Sequence, residues 1–433
     1  MTERLPCKTE GCSATILPNT AAKTDGICMP CFQEQERKKQ QAYIEKHRKT
    51  VNLYAELIDP VDILKVMHAP RKLDPLIQYV PYPLNKEQMY ISLSDQEADR
   101  MLKYAMELLT VNNESEAENI LLSLVCYRDH NVSDVLPELI ERGLFHNPIL
   151  FKDAAQNIRD QLLEQVNWDE DNRNHILLVL GWIGDKVVID QFREWQTEPP
   201  KWAEQLYVAP ETYALDGGWE LTPNGERRNL VNHLCYAIRP TDEQQDESND
   251  NLNEEHHARF LEISHSTCPW CKRKLTKLMD VATTHPALQY LDLPMEKLQV
   301  ITCDLCGGFS TIYMELDDKG GLVWSRYNQE PDYLPDVEAI DSSTVSTPVL
   351  SLSLEPQSPY YASNWALSQL DSQIGGHPSW VQDSEYPVCP CCQRRMQFIG
   401  QMDYADFDEY SEGIFYMFIC PEDTITATLY QQS

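Results

Sequence analysis

The amino-acid sequence predicts an α+β protein of several domains, with a small cysteine-rich module first, helical repeats in the middle and a β-rich region last. Three observations favour this class. The chain has 433 residues, which exceeds the usual size of one domain. Ten of its fourteen cysteines fall in five pairs with C-x2-C or C-x4-C spacing. Helical periodicity fills the middle, and short β-branched and aromatic runs fill the C-terminal part.

The N-terminal module, 1–50, is predicted to be a zinc finger with an exit helix. Its four cysteines form two close pairs: Cys7 with Cys12, and Cys28 with Cys31. Two such pairs supply the four thiolates that zinc binds as a tetrahedron. Because the segment is too short to fold by burial alone, we expect the metal to provide most of its stability. The stretch 32–50 lacks Gly and Pro and is rich in charged residues, which favours an exposed helix.

The middle region, 51–240, is predicted to be helical. Within 95–110, apolar residues recur every three or four positions, as in a helix that buries one face. A segment that begins at Asn119 resembles one that begins at Asn174, and each precedes a second helical pattern. We therefore predict HEAT-like α-helical repeats, and an ordinary helical bundle is the alternative.

An acidic linker, 241–258, is predicted to separate the helices from the C-terminal region. Its Asp, Glu, Asn and Gln side chains cannot bury enough apolar surface to offset the loss of chain entropy on folding. The C-terminal region, 259–433, contains short β-branched and aromatic runs, including 298–302 and 413–419. It is therefore predicted to be a β-rich zinc-binding domain, for which the next two cysteine sets provide the ligands.

One of these sets has the arrangement of a zinc ribbon. It combines Cys268 and Cys271 with Cys303 and Cys306. A redox pair is the alternative interpretation of a C-x2-C spacing, but a redox motif does not need a second pair. We expect zinc at this site, as at the N-terminal one.

The other set is incomplete. Cys389 and Cys392 form a pair, whereas the matching turn holds Cys420 and Asp423, with no second cysteine. Because carboxylates also bind zinc, Asp423 is a candidate fourth ligand, and the adjacent Cys391 is another. The alternative is a degraded site that holds no metal.

Charge and composition narrow the classes of function. The net charge of -32 repels a phosphate backbone, which makes general nucleic-acid binding improbable and suits a basic protein partner. No apolar run reaches the length of a membrane span, and the first residues lack the apolar core of a signal peptide. Paired cysteines in a chain without an export signal favour metal in a reducing compartment. We therefore expect a cytoplasmic protein with no membrane partner.

A run near the C-terminus carries a family resemblance. It reads Gly375-Gly376-His-Pro378-Ser-Trp380-Val-Gln382, then Cys389-Pro-Cys-Cys392, then Met396-Gln-Phe-Ile-Gly-Gln401, then a Tyr- and Phe-rich run that ends in Cys420-Pro. Over 260–433 the chain resembles the YwqG-like (DUF1963) family, which is related to the programmed cell death protein 2 group. Asp423 departs from the family pattern, in which cysteine is frequent at this position.

The resemblance implies binding rather than a reaction. Eukaryotic relatives look like chaperones for a basic ribosomal protein, and bacterial relatives look like accessory or immunity-type proteins. The surface that the family would share consists of Gly375, Gly376, Pro378, Trp380, Gln382 and Gln401. Trp380 would be a rigid anchor for a partner. The alternative is that Trp380 fills the core and the two glycines make a turn.

No common catalytic motif is present in the sequence, neither a nucleophile elbow, a Walker loop, a dinucleotide-binding glycine pattern nor a zinc-protease motif. We therefore predict a non-enzymatic protein-binding module, a chaperone-like or immunity-like adaptor for a basic protein. Two alternatives stay open. One is a metal-dependent hydrolase at the third cysteine site, and the other is a nucleic-acid-associated factor that uses the basic residues of 37–49.

Overall fold

The computed structural model describes residues 4–241, 258–317, 321–334, 349–407 and 412–432. The described residues combine helices with several sheets, which confirms the predicted α+β class. They divide into two compact units, Met1–Met89 and Tyr90–Ser433. The predicted acidic linker falls almost wholly outside the described residues, because 242–257 are not among them.

The α-helices of the described residues are α1 (Pro18–Lys23), α2 (Met29–His47), α3 (Pro60–His68), α4 (Lys86–Ser92), α5 (Asp95–Thr110), α6 (Glu114–Arg128), α7 (Leu136–Glu141), α8 (Gln156–Gln165), α9 (Arg173–Ile183) and α10 (Lys186–Thr197). Among them, none is both long and apolar enough to cross a bilayer.

The strands of the described residues are β1 (Leu5–Pro6), β2 (Thr15–Ile16), β3 (Lys49–Val51), β4 (Ile77–Tyr79), β5 (Trp219–Leu221), β6 (Arg227–Asn229), β7 (Asn232–Pro240), β8 (Arg259–Thr267), β9 (Lys274–Ala282), β10 (Lys297–Thr302), β11 (Ile312–Leu316), β12 (Leu322–Trp324), β13 (Leu350–Leu352), β14 (Gln373–Gly376), β15 (Gln397–Asp403), β16 (Ile414–Cys420) and β17 (Ile425–Gln431). The runs 298–302 and 413–419, predicted as strands, correspond to β10 and β16.

The N-terminal unit contains little apolar core around its cysteines. Strands β1 and β2 form a short hairpin, and α2 has no buried residue along its nineteen positions. The predicted exposed helix is therefore confirmed, although it begins at Met29 rather than Phe32. Ion pairs within α2, such as Arg37 with Glu34 at 2.8 Å, lie on its solvent-exposed surface.

The helices of the second unit pack through apolar faces. Helix α5 begins with a capping box formed by Ser94 and Glu97. It buries the six residues of the predicted stripe: Ala98, Met101, Leu102, Ala105, Leu108 and Leu109. Consecutive helices pack in pairs, α5 on α6, α8 on α9 and α9 on α10. The HEAT-like repeat itself stays a prediction.

The β-rich region is built on an eight-stranded sheet in the order β12-β11-β17-β16-β15-β14-β7-β13. A three-stranded sheet, β10-β9-β8, covers one of its faces. Residues of β16 alternate between two cores: Phe415 and Met417 pack toward the three-stranded sheet, whereas Tyr416 and Phe418 pack on the opposite face. This alternation is what a strand buried on both sides requires.

Residues 232–240 differ from the prediction, which placed them in the helical region. They form β7, which pairs antiparallel with β14 and with β13 in the large sheet. Cys235 is fully buried in this strand. The predicted domain boundary at 240 would therefore assign β7 and the sheet that contains it to different domains. The continuous apolar run from Cys235 to Ile238 does not distinguish a buried strand from a buried helix.

A first prediction concerns the bend at the end of β14. Gly375 has φ +69, and a Cβ there would lie 1.9 Å from the carbonyl oxygen of Leu234. Gly143 has nearly the same φ, +70, with open space around it. Gly143→Ala should therefore cost only the strain of positive φ, about 1–2 kcal/mol. Gly375→Ala should cost about 3 kcal/mol more, because backbone atoms must also move.

Urea unfolding of both variants measures the difference in the free energy of unfolding. Equal destabilisation by the two substitutions would contradict the close packing of β14 against β7.

Candidate metal centres

The structure brings the twelve predicted ligands together in three groups of four. Within each group the candidate ligand atoms all lie within 4.8 Å of one another. The groups are Cys7, Cys12, Cys28 and Cys31; Cys268, Cys271, Cys303 and Cys306; and Cys389, Cys392, Cys420 and Asp423. All fourteen cysteines of the chain are free thiols. The three sites are therefore geometrically suited to bind metal ions.

The distances within the groups fit a tetrahedral ion with thiolate ligands. Four sulfurs at about 2.3 Å from one zinc ion stand about 3.8 Å from one another. The observed Sγ–Sγ distances are 3.8 Å between Cys12 and Cys28, 3.7 Å between Cys268 and Cys306, 3.4 Å between Cys271 and Cys303, and 3.6 Å between Cys392 and Cys420. The residues present therefore fit a tetrahedral ion in each group.

The first site forms where two turns of the N-terminal unit meet. The backbone N–H of Cys28 donates to the Cys7 sulfur at 3.2 Å, and the N–H of Lys8 donates to the carbonyl of Gly26 at 3.0 Å. Gly11 and Gly26 have φ of +79 and +83, a conformation that favours glycine. These turns bring a loop and the start of α2 to one point.

The second site lies at one end of the three-stranded sheet, and all four of its sulfurs are buried. Its first turn joins β8 to β9, where the N–H of Lys272 donates to the carbonyl of Cys268 at 3.0 Å. Its second turn follows β10, where the N–H of Gly307 donates to the carbonyl of Cys303 at 2.7 Å. Lys272 has a φ of +63, which closes the first turn tightly.

The third site repeats the first of these turns. The N–H of Gln393 donates to the carbonyl of Cys389 at 3.0 Å, and Gln393 has a φ of +61. Lys272 occupies the same position of the second site. The opposite turn of the third site joins β16 to β17 and carries Cys420 and Asp423. The site therefore has the backbone of a zinc knuckle although one cysteine is replaced.

Asp423, not Cys391, completes the third group. Its Oδ2 lies 3.1 Å from the Cys389 sulfur and 3.4 Å from the Cys420 sulfur. Hydrogen bonds from the cysteine thiols, that of Cys389 above all, lower the pKa of this carboxyl. Cys391 is exposed and its sulfur lies 3.4 Å from the Tyr327 hydroxyl, away from the group. Of the two candidates that the sequence left open, the structure places Asp423 among the ligands.

At each of the two four-cysteine sites, one cysteine has a pKa well below the usual range of a thiol. Hydrogen bonds from the Thr9 side chain and the Cys28 backbone lower the pKa of Cys7 to about 6. A hydrogen bond from Cys303 lowers the pKa of Cys268 to about 5. A lowered pKa favours the thiolate, the form of cysteine that binds metal.

Arg394 is a neighbour of the third site that the sequence did not indicate. Its guanidinium pairs with Glu422 at 2.8 Å, which links the two turns that carry the ligands. Contact with the Cys392 side chain raises the pKa of Arg394. A cation here compensates the negative charge of a thiolate set and holds the turns in place. A signal was present, since Arg273 occupies the equivalent place after Cys268-x2-Cys.

A groove with a volume of about 890 Å³ opens beside the third site. Cys392 and Gln393 form one wall of it, and the hairpin of β5 and β6 forms another. Within this groove Glu220 pairs with Arg228 at 2.5 Å and with Arg395 at 3.2 Å. The groove therefore reaches a metal ligand, but the charges of these arginines are already paired.

Most of the residues named by the family resemblance are buried. Gly375, Gly376, Pro378 and Gln401 are buried, and Gln382 is exposed. The Gln401 side chain accepts a hydrogen bond from the Ser379 N–H at 2.8 Å and donates to the Asp371 carbonyl at 2.8 Å. Gln373, which the sequence did not single out, donates to the His377 carbonyl at 2.7 Å. These bonds fix the bend after β14.

Trp380 is half-buried and packs into an aromatic cluster. Its ring centroid lies 4.6 Å from that of Tyr416 and 5.3 Å from that of Tyr386. These contacts favour the alternative in which Trp380 fills the core and the glycines make a turn. A contact of this element with a partner stays a prediction.

A second prediction tests the fourth ligand of the third site. Asp423→Ala should lower the metal content by one ion per chain, because three ligands remain. Asp423→Cys should retain that ion, because a cysteine restores the four-thiolate set. Asp171→Ala is the matched control, since it removes an exposed carboxylate that belongs to none of the three ligand groups.

Elemental analysis of the three variants purified without chelator decides the question. Unchanged metal in Asp423→Ala, or an equal loss in Asp171→Ala, would show that Asp423 is not a ligand.

The comparisons with known proteins point to one relative. No family model matches the chain, and no solved structure matches it. The resemblance to the YwqG-like family therefore stays a prediction. The chain is 38% identical over 440 residues to the uncharacterized protein YpfL of Salmonella typhimurium, and the match covers all of both chains. The chain belongs to the same family as the YpfL protein of Salmonella typhimurium.

Proposed function

We propose that this protein is a non-enzymatic, cytoplasmic protein-binding module, a chaperone-like or immunity-like adaptor for a basic protein. The observation that carries the proposal is a net charge of -32 on 433 residues. Charge of this size attracts a partner of opposite sign and rejects acidic ones. Nucleic acids are disfavoured for the same reason.

Zinc has a structural role in this proposal. Each group offers four protein ligands, and a four-coordinate ion with four protein ligands has no open position for water. The free state of all fourteen cysteines supports a reducing compartment, and thiolate sets are typical of zinc there. In this proposal, helices α5 to α10 are the HEAT-like scaffold and the β-rich region is the YwqG-like domain.

A metal-dependent hydrolase at the third site is the second candidate. The groove beside Cys392 favours it, since a substrate could reach the ion there. A carboxylate ligand such as Asp423 is also more easily displaced than a thiolate. Ester or amide hydrolysis that is lost on chelation and also lost in Asp423→Cys would favour the hydrolase over the adaptor.

The nucleic-acid alternative has weaker support. Three basic residues of α2 pair with glutamates of the same helix: Arg37 and Lys38 with Glu34, and Lys39 with Glu36. Paired charges of this kind are typical of a solvated helix face.

A third prediction tests the adaptor function. The tagged protein, purified from its own host, should enrich a basic protein that mass spectrometry identifies. Surface plasmon resonance with that purified partner should show an association rate that falls as salt rises, because ions screen exposed charges within about 8 Å at physiological ionic strength.

An acidic partner would contradict the proposal, and so would an association rate that does not depend on salt. Enrichment of RNA or DNA, removed by nuclease, would favour the nucleic-acid alternative.

A further inference from the structure

A groove on the helical part of the molecule has no role in the metal sites. It lies between α7 and the C-terminal half of α8 and has a volume of about 570 Å³. Pro137, Ile140 and Trp168 provide its apolar surface, and Glu141 and Glu164 its charges. No basic residue lines it.

Trp168 is exposed in the turn that follows α8. Its side chain is 66% exposed, which is unusual for the largest apolar residue. The turn that carries it is fixed on both sides: Trp202 donates to the Asn167 side chain at 3.1 Å, and Gln165 donates to the Asp169 carboxylate at 2.8 Å. A turn fixed in this way loses little conformational entropy when a partner covers it.

The carboxylates of the groove are available to a partner. No ion pair of Glu141 or Glu164 occurs in the part of the chain that the structure describes. The arginines next to α7 and within α8 have acidic partners of their own, since Arg142 pairs with Glu138 at 2.6 Å and Arg159 pairs with Asp160 at 2.7 Å. The groove is therefore negative as well as partly apolar.

We propose that this groove docks a basic segment of the partner protein. An apolar side chain of the segment packs on Trp168 and Ile140, and flanking lysines or arginines pair with Glu141 and Glu164. Aromatic residues in the centre of a contact hold complexes, whereas the charges around them select the partner. The inference rests on the proposed adaptor function and names the surface that performs it.

The test uses the full-length protein and a defined probe, a short fluorescent peptide of lysine, leucine and glycine. A peptide with glutamate in place of lysine is its counterpart. Fluorescence anisotropy at physiological salt should detect binding of the basic peptide and none of the acidic one. Trp168→Ala should weaken binding roughly tenfold, as expected of a central aromatic anchor. Trp168→Phe, which keeps an aromatic ring, should lose less.

Matched variants separate the groove from the charge of the whole protein. Glu141→Gln with Glu164→Gln should weaken binding about threefold or more, because two nearby charges are lost. Glu296→Gln with Glu330→Gln removes the same charge from exposed positions elsewhere and should leave the affinity unchanged. Trp365→Ala removes another tryptophan, 81% exposed, and should also have no effect.

The outcomes distinguish failure of the groove proposal from failure of the proposed adaptor function. If the basic peptide binds wild type and Trp168→Ala equally, or if both glutamate pairs have the same effect, the groove is not the site and the adaptor function stands. If the protein binds neither peptide, the groove proposal is overturned. If it prefers the acidic peptide, the adaptor proposal fails as well. Circular dichroism and metal content confirm that each variant is folded.

Discussion

The convergence of four ligand atoms within 4.8 Å, at three separate places, is the constraint that fixes the turns of this structure. Thiolates at such distances repel one another unless a cation lies between them. In the N-terminal unit the cysteines themselves make up most of the small apolar cluster, together with Ile16, Ala21 and Ile27. Because so small a cluster buries little apolar surface, we expect a metal ion to provide much of the stability of these turns.

In the β-rich region the sites close the ends of strands that are already well packed. The second site joins β8 to β9 and follows β10, and the third joins β16 to β17. Loss of metal should therefore loosen these ends before it unfolds the sheet, since the cores around Phe415 and Tyr416 remain. The two sites share one turn geometry, at Lys272 and at Gln393, on the side opposite the turn that carries Asp423 in the third site.

The bend after β14 has a second structural role, in joining helices to the sheet. Gly375 and Gly376 turn the chain so that His377 stacks on Trp182 of α9, with ring centroids 4.9 Å apart. Burial lowers the pKa of His377 to about 3, so this ring is neutral at the joint. The element that carries the family resemblance is thus largely internal, and the exposed groove at Trp168 is a better candidate for contact with a partner.

Features that depend on local spacing were predictable from the sequence. Features that depend on contacts between distant segments were not. Cysteine pairs specify their own sites, because each turn brings two sulfurs together and a tetrahedron needs two such turns. The periodic stripe of α5 identified its six buried residues for the same local reason. In contrast, β7 is a strand because β14 lies beside it, and this pairing joins segments far apart in the sequence. No local sequence pattern around Trp168 or Trp380 indicates whether the side chain contacts a partner or packs in the core.

X-ray absorption at the zinc edge tests the central claim most directly, since it reports which atoms surround the bound metal. The account predicts a shell dominated by sulfur at about 2.3 Å, with a minor oxygen contribution from the one carboxylate. Asp423→Cys should remove that oxygen contribution and leave the sulfur distance unchanged. A shell of mainly oxygen or nitrogen neighbours, or purified protein without bound metal that unfolds no more easily than the loaded form, would contradict it.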